Sequence, residues 1–336
     1  MSKKDRTPLG IFTESVGLYF SNFLQFVKYM SFPVWGQLIG LGLIFATTFL
    51  YTQNLPKLLE KYPNINNNMT TLIVISVLIT LPGLLIYLKA FWEYLVAYGA
   101  VNSMLDNMLK SGRVYDFEAH TGLVKKRTGS FIGLWMLIGI FSLIAVCPLF
   151  WIICGIFAVY FILAFQVFTF ESQSPVGCLK RSLELVLRHF ASTFILMTLV
   201  GILTYYIIPQ LVTKVFDGTG LTVLIAGWTV PLFSSLPKLN IPNIGTISDI
   251  QLGTIVVQSL VAQVLIQYTL PLRSILWSMW YKELSKNYEP AIKKERKPRK
   301  SKKRPSENLM EESHKKYGKK KLDTNILRRA AEKDEE

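Results

Sequence analysis

The chain has 336 residues, of which 51% are hydrophobic and only 18% are charged, and its mean hydropathy is +0.34. This composition excludes an ordinary soluble globular protein and is typical of an integral membrane protein. The formal net charge is +15, and nineteen of the 37 Lys and Arg residues follow Trp280, so a weakly charged body precedes a basic tail.

The first predicted element is an amphipathic helix over residues 8–30. Thr7-Pro8 favours a helix start, because a Thr side chain caps the first turn and proline fits its first position. Apolar residues then recur at helical spacing: Phe12, Val16, Phe20, Phe23, Val27 and Met30. We expect this helix to lie in the membrane interface and to lead into the first span. We expect no cleavable signal peptide, since polar residues at 13–15 interrupt the apolar segment.

Six stretches are apolar and long enough to cross a bilayer, which takes about 20 residues. They cover approximately residues 33–52, 71–96, 130–147, 149–170, 190–212 and 252–277. Little more than Cys147-Pro148 separates the third stretch from the fourth, which predicts a tight hairpin turn. Gly36 and Gly40 in the first stretch predict close packing against another helix.

The distribution of Lys and Arg in the short loops predicts the orientation. The N-terminal segment and the loops after the second and fourth spans carry twelve of these residues, and the opposite side carries four. This bias predicts a multi-pass protein of the inner, cytoplasmic membrane with both termini in the cytoplasm.

A second amphipathic helix is predicted between the fourth and fifth spans. Ser174-Pro175 repeats the capped start, and Val176, Leu179, Leu183, Val186 and Phe190 recur at helical spacing. Its charged residues are Lys180, Arg181, Glu184 and Arg188. We expect the helix to lie in the cytoplasmic interface, with its charges able to pair four residues apart.

These residues form part of a longer pattern: a helical hairpin broken at Pro148, a glutamate that closes the fourth span, and a capped helix reading LKRSLEL. The pattern is carried by Glu171, Ser174, Pro175, Lys180, Arg181, Ser182, Glu184 and Leu185. In it the chain resembles the bacterial six-span membrane-domain family of the DUF975, YciC-like and glycerophosphodiester-phosphodiesterase membrane-domain type.

The resemblance covers about residues 9–281 and implies an all-helical membrane bundle, but little about activity. The chain departs from the family at Cys178, where the family tends to have a small residue such as alanine, and in an enlarged segment after the fifth span. The soluble phosphodiesterase domain of the family's best-known members has no counterpart in this sequence.

The predicted fold class is therefore an all-α integral membrane protein. Residues 1–281 form a membrane domain of six transmembrane helices with two interfacial amphipathic helices. Residues 282–336 form a basic cytoplasmic tail that we expect to be mostly disordered.

No catalytic, cofactor-binding or metal-binding constellation is evident in the sequence. The three histidines lie in separate segments without a second ligand one helical turn away, and no nucleophile or nucleotide motif occurs. We expect no enzyme activity, no cofactor and no metal. Lys89 and Glu93 are predicted to pair with each other, and Arg273 to reach towards lipid phosphate.

Uncharged polar residues mark the last span, where the glutamines are Gln251, Gln258, Gln263 and Gln267. Hydrogen bonds between helices are one interpretation, and a polar path for a substrate is the other. The apolar, Gly- and Pro-rich segment 216–250 before this span is predicted to form a lid on the outer side, with a dip into the outer leaflet or a partner surface as alternatives.

The tail contains a cluster of nine bases: Lys293, Lys294, Arg296, Lys297, Arg299, Lys300, Lys302, Lys303 and Arg304. Beside a membrane span, such a cluster favours anionic lipid, at about 1 kcal/mol per base near the surface. RNA, for instance on the ribosome, is the alternative partner, because phosphate contacts require only clustered Lys and Arg.

Three hypotheses for the function follow. The leading one is a non-enzymatic membrane adaptor or organiser with an envelope- or lipid-related role, with a membrane protein as a further partner. The second is a permease or channel-like component for a small or lipid-like solute. The third is an insertase-like factor that tethers ribosomes through its tail.

Overall fold

The computed structural model describes residues 7–62, 69–114, 117–234, 240–241 and 245–286. These residues belong to a single compact unit, Met1–Tyr288. Apart from turns, the described residues are helical except for a two-residue antiparallel pair, β1 (Asn240–Ile241) and β2 (Gly245–Thr246). The predicted all-α class is therefore confirmed.

The helices are α1 (Pro8–Ser21), α2 (Phe23–Lys61), α3 (Met69–Ser111), α4 (Phe117–Lys125), α5 (Thr128–Ile144), α6 (Trp151–Phe161), α7 (Ala164–Glu171), α8 (Pro175–Leu187), α9 (Phe190–Gly201), α10 (Ile208–Gly218), α11 (Leu221–Phe233), α12 (Asp249–Tyr268) and α13 (Leu270–Lys286). A 3₁₀ turn at Pro148–Phe150 precedes α6, and a π-helix at Ile202–Ile207 joins α9 to α10.

Within the described residues, five helical stretches are long and apolar enough to cross a membrane: Phe23–Lys61, Thr70–Ser111, Pro148–Glu171, Phe190–Gly218 and Asp249–Lys286. The protein is thus a multi-pass membrane protein. The predicted span at 130–147 is helical, as α5, but α5 has only 17 residues. Its rise of about 26 Å falls short of a hydrocarbon core of about 30 Å, so a sixth span is not confirmed.

The predicted hairpin turn between α5 and α6 is confirmed. Cys147 precedes the 3₁₀ turn, and the indole of Trp151 donates a 2.9 Å hydrogen bond back to the carbonyl of Ala145. The fourth span is itself bent between α6 and α7. Ser182 of α8 enters this bend, where it accepts from the backbone of Leu163 and donates to the carbonyl of Tyr160. A side chain inserted in this way explains the bend.

Close packing of α2 on α3 follows from glycines, as predicted. A Cβ at Gly36 would lie 2.7 Å from the Ala90 side chain, and one at Gly40 would lie 2.6 Å from the backbone of Tyr87. Gly83 of α3 fits against α2 in the same way. Small residues let the two helix backbones approach, which is how helices gain packing contacts in lipid.

The capped starts of α1 and α8 are confirmed, since Thr7 accepts from the backbone of Gly10 and Ser174 from that of Gly177. The predicted apolar faces are not confirmed as single surfaces. Leu179 and Val186 of α8 are buried, whereas Phe20 of α1 is 56% exposed and Val176 of α8 is 67% exposed. The single amphipathic helix predicted over 8–30 is also interrupted, at Asn22.

The buried faces carry apolar, small and polar residues together: Ile11, Ser15 and Tyr19 on α1, and Cys178, Leu179, Arg181, Ser182, Leu185 and Val186 on α8. Ser15 contacts the sulfur of Met279, and the Tyr19 hydroxyl donates to the carbonyl of Tyr268. Both helices therefore pack on protein with these faces, and packing and hydrogen bonds of this kind join helices in a membrane.

The best-packed region lies at one end of the bundle. We call it the packed end; it is formed by α1, α8, residues 95–111 of α3, and α13. Its buried side chains include Met104, Leu105 and Met108 of α3 and Ile275 and Leu276 of α13. Arg127, which directly precedes α5, is joined to α7 and to the residues after it, because its guanidinium donates to the carbonyls of Phe168 and Gln173.

Candidate functional site

A cleft of about 630 Å³ lies between the α5–α6 hairpin on one side and α3, α13 and the π-helix on the other. Its walls are mainly aromatic: Trp135, Phe141, Phe157, Phe161, Phe165 and Trp277. Four of its lining residues, Trp135, Ile138, Ser142 and Ala145, follow one face of α5 over about 15 Å. An elongated apolar molecule would fit such a site better than a small polar one.

Arg273 provides the positive charge of the cleft. Its Nη2 donates a 2.8 Å hydrogen bond to the carbonyl of Ile266. Its Nη1 donates to the Tyr205 hydroxyl, and the guanidinium lies 4.9 Å from the centre of the Tyr205 ring. Among the described residues it forms no ion pair, and its buried Nε has no hydrogen-bond partner.

The sequence analysis predicted that Arg273 reaches towards lipid phosphate. The structure places it in the wall of the cleft. The π-helix and Tyr205 hold it against the cleft. π-helices often occur at functional sites, because the extra residue shifts a side chain out of the regular helical pattern.

Trp135 presents a second unsatisfied donor at the cleft. Its indole N–H is buried without a partner, and its ring is 4.4 Å from that of Phe165. Buried donors in native proteins nearly always find an acceptor, and each one left unpaired costs about 1–3 kcal/mol. The unpaired Trp135 indole nitrogen and Arg273 Nε are thus a cost of the fold beside the cleft, and neither nitrogen is exposed to a molecule within it.

A buried polar network lies directly behind the cleft and joins three helices. Tyr98, which lines the cleft, accepts a 3.1 Å hydrogen bond from Gln166 of α7. Asn102, also of α3, accepts from Gln166, Ser274 and Ser278. All five side chains are buried. The network fixes α3, α7 and α13 relative to one another and so gives the inner wall of the cleft a defined shape.

The structure does not bring the four glutamines of the last span together, and none of them lines the cleft. Gln251 completes a capping box with Ser248 at the start of α12, and Gln258 donates to the carboxylate of Asp217 on α10. Gln263 is exposed and Gln267 is buried. Of these, Gln258 makes a contact between helices.

The charged residues predicted on α8 differ in burial and in ion pairing. Arg181 is buried and forms ion pairs with Glu171 at 3.0 Å and Glu184 at 3.6 Å, whereas Lys180 is exposed. Arg188 is the residue that follows the end of α8.

Two other predictions concern charged residues. The predicted pairing of Lys89 with Glu93 is wrong: Glu93 forms an ion pair with Lys125 at 3.1 Å, and Lys89 lies over the ring of Phe32. The basic cluster of the tail, residues 293–304, lies outside the described residues, as does part of the predicted lid. Within the lid, residues 221–233 form α11.

Metal binding finds no support in the geometry of the described residues, among which no three His, Cys, Asp or Glu side chains cluster. The functional residues that the sequence analysis missed are Trp135, Tyr205 and the neighbours of Arg273. One signal was available, namely a fixed positive charge within an apolar span, which is costly and tends to be retained for function.

Comparison with known proteins adds no relative to this description. No protein-family model, no curated protein and no solved structure matches the chain. The resemblance to the six-span membrane-domain family therefore stays a prediction.

Proposed function

We propose that this chain is a non-enzymatic protein of the bacterial inner membrane that binds a lipid-like amphiphile in the cleft. The observation that carries the proposal is an elongated aromatic cleft with a single cationic group, Arg273, in its wall. Apolar walls with a few placed polar groups are the usual form of a small-molecule site. An amphiphile matches this arrangement because its chain fills the apolar part and its headgroup meets the polar groups.

The proposal combines two of the hypotheses drawn from the sequence, a lipid-related membrane protein and a carrier of a lipid-like solute. Both need a site for an amphiphile, and the second also needs movement of the bound molecule. The likeness to the six-span membrane-domain family supports a membrane role without a catalytic domain. The excess of Lys and Arg in alternate loops supports an orientation with both termini in the cytoplasm.

The tail adds a separate part of the proposal. Its basic cluster, residues 293–304, would bind anionic lipid at the cytoplasmic surface. Co-purification of the full chain beside a version ending at Glu289 tests this, with lipid and RNA both measured. Loss of anionic lipid on truncation is the expected result, and loss of RNA or ribosomes would support the tether hypothesis instead.

The cleft can be tested with a pair of matched glycine variants. A side chain at Gly155 would project into open space within the cleft, so Gly155→Leu should fill the site without disturbing the surrounding residues. Gly139 on α5 also faces open space but does not line the cleft, so Gly139→Leu is the control.

The measurement is native mass spectrometry of each protein purified in mild detergent, with the bound amphiphile counted per chain. We expect an adduct on the wild type and on Gly139→Leu, and its loss from Gly155→Leu. Equal amounts on all three proteins would show that the cleft does not hold the amphiphile.

A further inference from the structure

We infer that the amphiphile bound in the cleft carries an anionic headgroup, which Arg273 recognises. This inference rests on the proposed function and names the class of its ligand. It concerns a lipid of the surrounding bilayer, with a negatively charged phosphate or carboxylate group and at least one acyl chain.

The sign of the headgroup charge follows from the surroundings of Arg273. Its hydrogen-bond partners are the neutral Tyr205 hydroxyl and the carbonyl of Ile266, and no carboxylate among the described residues pairs with it. A cation that is partly removed from water without a counter-ion is unfavourable. An anion in the cleft would supply the missing charge.

The chemistry of the guanidinium specifies what the headgroup must offer. Arg273 lines the cleft and has N–H donors without acceptor capacity, so a group that binds it must present acceptor oxygens. Phosphate and carboxylate groups present several such oxygens and form strong hydrogen bonds with guanidinium groups. The quaternary ammonium of a zwitterionic lipid would instead place a second positive charge near Arg273.

The position of these donors along the cleft matches the position of a lipid headgroup. Tyr94 lines the cleft beside Arg273, and its chain neighbour Glu93 pairs with Lys125 immediately before α5 begins. Trp135 is the lining residue of α5 closest to that beginning. Arg273 and Tyr94 thus lie at the end of the cleft that is nearest to the Glu93–Lys125 ion pair.

From that level the apolar wall runs along α5 from Trp135 to Ala145, about 15 Å in the direction of the hairpin turn. Half of a hydrocarbon core of about 30 Å has the same length. A lipid of the leaflet at the packed end would therefore place its headgroup at Arg273 and one acyl chain along the aromatic wall, in its ordinary orientation in the bilayer.

The test compares two lipids that differ only in headgroup charge. The full-length protein is mixed in detergent micelles with dimyristoyl phosphatidylglycerol or dimyristoyl phosphatidylcholine, and bound lipid is counted by native mass spectrometry. The basic tail, which also favours anionic lipid, is the same in every variant, so the comparison is made between variants. We expect Arg273→Gln to lower the wild-type preference for the anionic lipid about tenfold, the effect of one hydrogen bond to a charged group. Arg273→Lys should retain most of the preference, because it keeps the charge.

Three controls separate the possible results. Lys180→Gln removes an exposed positive charge away from the cleft and should leave the preference unchanged. Trp135→Phe changes the aromatic wall without changing its charge and should affect the binding of both lipids equally. An arm with inorganic phosphate alone asks whether the acyl chain is needed, and we expect no competition at phosphate concentrations comparable to those of the lipid.

The results distinguish failure of this inference from failure of the proposed function. If neither lipid binds the wild type, the proposed function fails and the inference fails with it. If both lipids bind equally and Gly155→Leu abolishes both, the cleft holds an amphiphile but the inference of an anionic headgroup is overturned. A preference in Arg273→Gln as large as that of the wild type would assign it to other bases, such as the tail, and would also overturn the inference.

Discussion

The Glu171 carboxylate lies 3.0 Å from the Nε of Arg181, and the same oxygen accepts a 2.8 Å hydrogen bond from the Tyr281 hydroxyl. These contacts join the end of α7 to α8 and α13 at the packed end. Only 8% of the Arg181 side chain and 21% of the Glu171 side chain are exposed. The charged segment between two apolar helices is thus attached to the protein core, and its amphipathic pattern does not by itself indicate a lipid-facing helix.

Removal of Arg181 should destabilise the packed end strongly. Arg181→Ala leaves the Glu171 charge largely buried without its partner, and we expect a loss of about 3 kcal/mol in the free energy of unfolding. Unfolding in mixed micelles with increasing sodium dodecyl sulfate measures it. The neighbouring exposed Lys180→Ala is the control and should cost less than about 0.5 kcal/mol. Equal effects of the two substitutions would contradict the role assigned to this ion pair.

Contact between α2 and α3 depends on the absence of a side chain at Gly40. Gly40→Ala would place its Cβ 2.6 Å from the backbone nitrogen of Tyr87, so the helices must separate, at a cost of about 1–3 kcal/mol. Gly42 faces open space on the same helix. Gly42→Ala should be neutral or should stabilise the protein by up to about 1 kcal/mol, because alanine favours helix. Thermal unfolding followed by circular dichroism would show whether the two variants differ in this direction.

The buried network around Asn102 should be sensitive to loss of its central acceptor. Asn102→Ala leaves the donors of Gln166, Ser274 and Ser278 without this partner, and we expect a loss of at least about 2 kcal/mol in the free energy of unfolding. The side chain of Asn107, on the same helix, is exposed, so Asn107→Ala should change little. A small effect of Asn102→Ala in the same micellar assay would show that water replaces the amide.

Cys178 should react slowly with alkylating reagents. Burial raises the pKa of its thiol from 9.0 to about 11; the nearby Arg127 charge lowers this pKa, and the Glu171 charge raises it by a smaller amount. The thiolate is the reactive form, so at pH 8 its fraction should be about a hundredfold below that of a thiol with the ordinary pKa. Because the folded-state pKa is raised, the thiol stays protonated below about pH 11.

The measurement is the rate of iodoacetamide labelling in a variant with Cys147→Ser and Cys154→Ser, folded and in denaturant. In the folded protein the rate should rise about tenfold per pH unit up to about pH 10 without a plateau. A plateau near pH 9 in the folded protein would mean that the thiol is not held in the buried environment that the structure shows.

Several features could be predicted because they depend on a few neighbouring residues. Thr7-Pro8 and Ser174-Pro175 start helices in any context, since the cap and the proline act within one turn. Pro148 ends a helix for a similar local reason, and the spacing of Gly36 and Gly40 needs only a second helix beside it. Predictions that depended on neighbours distant in the sequence failed, such as the pairing of Glu93, whose partner Lys125 lies beyond the next helix boundary.

The sequence by itself determined that this protein is helical, multi-pass and capped at defined residues, because apolar length, proline and capping side chains act locally. Tertiary structure decided which faces of α1 and α8 are buried, because both helices pack on α13 through residues distant in the sequence, as Ser15 does with Met279. It also decided that Arg273 and Trp135 line one cleft. Their separation of 138 positions in the chain carries no local signal, and only the placement of the α5–α6 hairpin opposite α13 brings them to the same cleft.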